Sequence, residues 1–317
     1  MAFRVLAAAL VVLAAIGGCN RQTGTGKIVI AVIPKSTDHP YWVAVETGAQ
    51  QGAKEVGCEI SWHGTNTEAD RAGQIRIVAD LLDQGVDAVC IAPNDKDALA
   101  RTISQAHQKV PVVVFDSGAN TEDYTAFIAT DNRKGGQIAG EEMLLLLGDT
   151  GGKVAVIRGI AGSESTTERE EGFIEALKKN PKVTVLADTR GDNAEAKSRQ
   201  AAADILTREG EVAGFFGPSE PVCKGILGAL KDAGKAGKTK FVGFDGGVEL
   251  AAGMDEHSID ALVVQRPVLM GAMAVKAAFA AIRHESVQRV QRIDPLLITQ
   301  ANKDQPDIRE LLQPKIK

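Results

Sequence analysis

Two periodicities alternate along the chain. Short runs of aliphatic and β-branched residues recur, and between them apolar side chains return every three or four positions on otherwise polar stretches. The first pattern marks strands buried on both faces, and the second marks amphipathic helices. Residues 27–33 (KIVIAVI) predict a strand, followed by a helix over 42–56 with Val45, Ala49, Ala53 and Val56 on one face. Strands follow at 58–62, 88–92, 110–115 and 125–129, and a helix over 69–84 carries Ala72, Ile75, Val78, Ala79 and Leu82. The pattern restarts after Gly148-Asp149-Thr150-Gly151-Gly152. Strands at 153–157, 183–187, 212–216 and 240–244 then alternate with helices at 167–179, 194–208 and 221–233. Such alternation implies right-handed crossovers and parallel sheets. Two series imply two doubly wound α/β lobes.

In doubly wound sheets ligands gather beyond the carboxyl ends of the strands. The polar residues at those ends form a short set. Lys35, His39, Tyr41 and Trp42 follow the first strand, and Asp116 and Ser117 follow the fourth. In the second series the polar stretch 160–169, ending in Arg169, follows the first strand; Ser219, Asp245 and Gln265 end later ones. The chain has only two Trp and two Tyr, yet Tyr41 and Trp42 are adjacent at one strand-to-helix junction. Aromatic faces stack on the C–H faces of sugar rings, while carboxylate, amide and guanidinium groups bond the hydroxyls. Two readings fit each residue taken alone: the aromatic pair can pack on the core, and a strand-ending Asp can cap the next helix. Recurrence of polar strand ends in both halves favours a ligand pocket.

The N-terminus changes the picture of where the protein works. Arg4 precedes an unbroken apolar run, residues 5–16. A run of about a dozen residues is shorter than the roughly 20 needed to span a bilayer and suits a signal peptide. It ends in Ile16-Gly17-Gly18-Cys19, which resembles a bacterial lipobox with Cys19 acylated after cleavage; a plain secretory leader is the other reading. Residues 1–18 are thus expected to be a lipoprotein signal peptide, and the short, polar 19–26 a flexible tether. The remaining roughly 300 residues suffice for two lobes of ordinary size. A net charge of −5 argues against a nucleic-acid partner, which would demand a basic face.

Catalytic and metal motifs do not assemble. His39, His63, His107, His257 and His284 are scattered without metal-ligand spacing, and no G-x-S-x-G elbow occurs. No cofactor motif is present, and the glycines at 24–26 and 151–152 precede strands, reading as linker and turn. The carboxylate pairs Glu141-Glu142 and Glu170-Glu171 are expected on solvated helix faces. With Cys19 assigned to lipid, Cys58, Cys90 and Cys223 remain. Cys58 and Cys90 sit at or inside apolar strands as small buried side chains, with a disulfide between them as the alternative.

Three stretches carry a family resemblance. They are Ile128-Ala129-Thr130-Asp131-Asn132 with Gly135-Gly136; Gly159-Ile160-Ala161-Gly162 through Glu168-Arg169-Glu170-Glu171-Gly172-Phe173; and Val242-Gly243-Phe244-Asp245-Gly246. Over about 27–299 the chain resembles the ribose-binding-protein family, the type I periplasmic sugar receptors of ABC importers, whose fold is shared by lactose-repressor-type regulators. The resemblance implies two lobes joined by a three-strand hinge near Thr130, Gln265 and Asp294. One lobe would comprise 27–130 plus 266–294, and the other 131–265 plus 295–317. It also implies that Tyr41 and Trp42 take the aromatic stacking positions, and that Asp116, Arg169, Asp245 and Gln265 contact ligand. Asn193 falls near a position that is aromatic in the ribose receptor. Ser117 stands where that receptor has arginine, Ser219 and His39 where it has asparagine, and Lys35 adds a cation its pocket does not use there. The architecture carries over and ribose itself does not; a hexose, a polyol or a sugar acid fits the departures.

The expected function is therefore a non-enzymatic, exported, lipid-anchored and monomeric solute receptor, binding a sugar or polyol through Lys35, Tyr41, Trp42, Asp116, Ser117, Arg169, Ser219, Asp245 and Gln265. Its partner would be an ABC permease in the membrane. The alternative is a sensory protein presenting ligand to a membrane kinase or chemoreceptor. A cytoplasmic regulator is disfavoured, because no basic helix-turn-helix segment precedes the first strand.

Overall fold

The computed structural model describes residues 27–37 and 39–313. The expected signal peptide at 1–18, the tether at 19–26 with its acylated Cys19, and 314–317 lie outside the described residues.

Aliphatic strands order into two six-stranded sheets. The first series runs β1 (Val29–Ile33), α1 (Pro40–Val56), β2 (Glu59–Trp62), α2 (Arg71–Asp83), β3 (Ala88–Ile91), α3 (Ala100–His107), β4 (Val112–Phe115) and β5 (Ala126–Thr130). The second begins with α4 (Asn132–Leu147), β6 (Gly152–Val156), α5 (Glu164–Leu177), β7 (Val183–Leu186) and α6 (Glu195–Glu209). It continues through β8 (Gly214–Gly217), α7 (Glu220–Asp232), β9 (Lys240–Phe244), α8 (Val248–Asp255) and β10 (Ala261–Val264). Last come α9 (Pro267–Ile282), β11 (Val290–Ile293), β12 (Leu296–Thr299) and α10 (Pro306–Leu312).

The sheet orders are β11-β5-β4-β3-β1-β2 and β12-β10-β9-β8-β6-β7. All neighbours pair parallel except β12, which runs antiparallel to β10. Each sheet is covered on both faces, and four apolar clusters fill the layers between sheet and helices. This explains why β3 (AVCI) and β4 (VVVF) are buried at every position: neither face meets water. The chain passes between the sheets after β5, after β10 and between β11 and β12. The two lobes are thus connected by three strand-end segments. Among the described residues no helix is long and apolar enough to cross a membrane. Cys58, Cys90 and Cys223 are all free thiols; the last two are buried, and burial pushes their pKa values up.

Cys58, expected as a buried side chain, is only half-buried, because it precedes the edge strand β2. Two further features, both in the second lobe, differ from the pattern reading. Helix α5 starts at Glu164, three residues before the expected Thr167. Its Ser/Thr-rich first turn is a weak helix former, but the buried Ser165 N–H, which has no partner within the helix, finds an acceptor in the opposite lobe, Ser117 Oγ at 3.1 Å. Glu170 is not on a solvated face. It is 1% exposed and accepts from Arg158 Nε at 2.6 Å and from the Gly159 amide at 2.7 Å. Burial pushes its carboxyl pKa upward, against those two donors. It lies on the face of α5 that packs inward with Arg169, and it ties the loop after β6 to the helix. Its neighbour Glu171 is exposed and pairs with Arg133 at 3.0 Å.

Candidate functional site

The site begins with a helix cap. His39 stands in extended backbone before α1, and its Nδ1 accepts the Tyr41 N–H at 3.2 Å, with Pro40 in the first turn. This start fixes Tyr41 and Trp42 at the mouth of the β1 loop. The Trp42 ring meets Tyr41 edge-on at 4.9 Å and Phe115 at 6.4 Å. Its indole N–H donates to Glu68 Oε1 at 3.1 Å. Tyr41 donates its hydroxyl to Asp116 Oδ1 at 2.7 Å, and burial, then the Asp116 charge, raises its pKa well above the usual value.

Asp116 ends β4 and Asp245 ends β9, the fourth strands of the two series. Both adopt left-handed backbone, with φ of 64° and 73°. For non-glycine residues that conformation costs on the order of 1–3 kcal/mol each, and such strain clusters at binding sites. Each carboxylate is oriented by neighbours. Asp116 Oδ2 lies 3.0 Å from Lys35 Nζ. Asp245 accepts from Gln265 Nε2 at 2.7 Å and from the Glu220 amide at 3.1 Å. Gln265 in turn accepts from Thr130 Oγ1 at 2.7 Å, so the ends of two hinge strands are bonded together.

Arg169 is buried and held on three sides. Nε donates to Asn132 Oδ1 at 2.8 Å, Nη1 donates to the Pro218 carbonyl at 2.9 Å, and the guanidinium lies 4.0 Å over the Phe244 ring. Its Nη1 is 3.8 Å from Asp245. The close approach of α4 to α5 makes this placement possible: a Cβ on Gly136 would sit 2.0 Å from the Arg169 carbonyl oxygen.

The cleft between the lobes is closed. Lys35, from the first lobe, donates to Ser165 Oγ at 2.9 Å and Ser163 Oγ at 3.3 Å in the second. Asn193 Nδ2 donates to Glu68 Oε2 at 2.9 Å, and His39 Nε2 lies 3.1 Å from Glu220. On the far side the Gly118 amide donates to Glu164 at 2.9 Å and Lys96 N to the Gly162 carbonyl at 2.9 Å.

Between these contacts lies a cavity with about 40 Å³ of room for the centre of a water-sized sphere. Lys35, Tyr41, Trp42, Asp116, Arg169, Ser219, Asp245 and Gln265 all line it. Ser117 does not. Its hydroxyl is turned to the first turn of α5, so the structure places it in the lobe-to-lobe contact instead of the pocket. The lining also includes Glu68, Asn193, Ser165, Thr166 and Pro221. Glu68 lies beyond the carboxyl end of β2, so the strand-end rule, applied to that strand as well, would have found it. Thr166 Oγ1 is buried without a hydrogen-bond partner among the described residues. Among them, no group of His, Cys, Asp and Glu is arranged to hold a metal ion.

Two doubly wound lobes, three connecting segments and a polar cavity at the strand ends define a type I solute-receptor fold. The periplasmic binding protein domain family matches residues 30–286, and the chain belongs to that family as a ribose-binding-protein-like member. The ribose import binding protein of Salmonella typhimurium is 31% identical over 292 residues, covering 92% of this chain and 97% of that protein. A carbohydrate transporter solute binding protein from Agrobacterium radiobacter, solved with D-arabinose, superposes with a TM-score of 0.87 at 29% identity, covering 91% of this chain and all of that one. An ABC transporter solute binding protein from Agrobacterium vitis with bound D-fucose gives 0.86 at 31% identity, covering 90% and 99%.

Proposed function

We propose that this protein is an exported, lipid-anchored receptor that captures a sugar or polyol between its lobes and delivers it to an ABC importer. The observation that carries the reading is the composition of the cleft cavity. The Trp42 indole, two oriented carboxylates, a guanidinium and an amide converge there, and each polar group is already held by a protein partner. Such preorganised donors and acceptors beside an aromatic face suit a hydroxylated ring. A relative named for ribose import, and two solved with D-arabinose and D-fucose bound, support the carbohydrate class.

In this reading the lobes are 27–130 plus 266–294 and 131–265 plus 295–317, and they close as a hinge about Thr130, Gln265 and Asp294. Ligand contacts are made by Lys35, Tyr41, Trp42, Asp116, Arg169, Ser219, Asp245 and Gln265. Cys19 carries the lipid, and the receptor works as a monomer that meets its permease at the membrane.

The test is a melting-temperature screen against a broad carbohydrate and polyol library. A true ligand stabilises by about 2.7 kcal/mol at one hundred times its Kd, which appears as a rise of several degrees. No shift across the library overturns the carbohydrate reading. Mass spectrometry of the membrane-extracted protein checks the anchor: an acylated N-terminal cysteine supports it, and an unmodified or differently cleaved N-terminus sinks it.

A further inference from the structure

Glu68 stands where the two lobes meet. It is half-buried in the loop between β2 and α2, and both of its oxygens are held: Oε1 by the Trp42 indole at 3.1 Å, Oε2 by Asn193 Nδ2 at 2.9 Å. Asn193 comes from the opposite lobe, in left-handed backbone, and its Oδ1 accepts from Ser219 Oγ at 3.1 Å. A carboxylate offers about four acceptor positions. Two are used here and two remain.

The charges around it are unbalanced. The cleft cavity is lined by three carboxylates, Glu68, Asp116 and Asp245, against two permanent cations, Lys35 and Arg169. Lys35 Nζ lies against Asp116, Ser163 and Ser165, so in the closed cleft its charge is already matched by Asp116. Beyond Glu68 a second cavity of about 470 Å³ opens toward the outside, and it shares His39, Glu68, Asn193 and Pro221 with the first. Its walls add Asp192, which is paired with Lys197, and Glu195 and Glu220. Lys224, on the same wall, lies 3.2 Å from both Glu195 and Glu249, and His39 faces Glu220. A ligand moving from the outer cavity to the inner one therefore passes a surplus of negative charge, in a site where water screens poorly.

We infer that Glu68 is a charge-selecting gate that accepts hydroxyl donors of an uncharged polyhydroxylated ligand and turns away the corresponding carboxylates. This rests on the carbohydrate reading and narrows it: sugar acids leave the class, and neutral sugars and polyols stay.

Calorimetric titration with D-ribose, D-allose, D-arabinose, D-fucose, D-glucose and D-galactose, each beside its aldonate or uronate, tests the gate in wild type and Glu68→Gln. The wild type should prefer its best neutral sugar over the matching acid at least a hundredfold. Glu68→Gln should reduce that preference at least tenfold, chiefly by tighter binding of the acid, while its unliganded melting temperature stays within a few degrees. Equal binding of sugar and acid by the wild type overturns the inference, as does an unchanged preference in the variant. If Glu68→Gln does not fold, the wild-type preference decides. Binding of acids alone removes the gate but keeps a carbohydrate receptor, whereas no binding by any compound removes both.

Discussion

Asp116 and Asp245 occupy equivalent places in the two lobes, each ending a fourth strand in left-handed backbone and each pointing a carboxylate at the cavity. Neither acts as the cap of a following helix. Asp116 is held by Tyr41 and Lys35, and Asp245 by Gln265 and the Glu220 amide. The lobes thus present matched acceptors from opposite sides of the cleft.

Asp245→Asn keeps the size of the side chain and tolerates positive φ, so it isolates the charge. Ligand affinity is expected to fall about tenfold or more, in the range of 1–3 kcal/mol for a lost charged hydrogen bond. Calorimetry with the strongest ligand checks this, and unchanged affinity in a folded variant would place the pocket elsewhere.

Lys35→Met leaves the buried Asp116 carboxylate without its cation. Removing one partner of a buried pair costs about 3–5 kcal/mol, and the Tyr41 hydroxyl should hold the loss near the lower end. Denaturant unfolding is expected to show that loss. The double variant Lys35→Met with Asp116→Asn should recover part of it, because no unpaired charge then remains buried.

Gly136→Ala would drive a methyl group into the Arg169 backbone, so α4 and α5 must move apart. Overpacking of this kind costs about 1–3 kcal/mol or more. Because the displaced residue carries the guanidinium of the site, ligand affinity should fall along with thermal stability. A variant that loses stability with affinity intact would uncouple the helix contact from the pocket.

Glu170 provides a pH prediction. Burial raises its folded-state pKa above the ordinary 4.5, so its ionised form lowers stability above the folded pKa. That loss is relieved as pH falls through the folded pKa toward 4.5. The difference in unfolding free energy between wild type and Glu170→Gln should therefore shift in favour of the wild type as pH drops from 7 to 4.5. A shift in the opposite direction would show that the Arg158 and Gly159 donors outweigh burial.

The residues show what one dimension can carry. Every strand of the two alternating series, from β1 to β9, was legible: central strands such as β3 and β4, buried on both faces, must be apolar throughout, and the half-exposed edge strands β2 and β7 keep short apolar or β-branched runs. Strand ends then located Asp116, Arg169, Ser219, Asp245 and Gln265, since parallel crossovers deliver their loops to one edge of each sheet. What periodicity does not encode is the meeting of the two edges. Ser117 sits at a strand end like its neighbour, yet its hydroxyl serves the amide of Ser165 in the other lobe. Glu170 reads as one more helix-face acid, and only the folded β6 loop supplies the arginine and amide that let it be buried. Glu68 gained its place through Asn193, which lies 125 positions along the chain. Local pattern determined the two lobes and most of their polar strand ends, because burial and crossover geometry act within each lobe. Lobe closure alone decided which of those ends line the cavity and which face each other, because those contacts join residues that no local period relates.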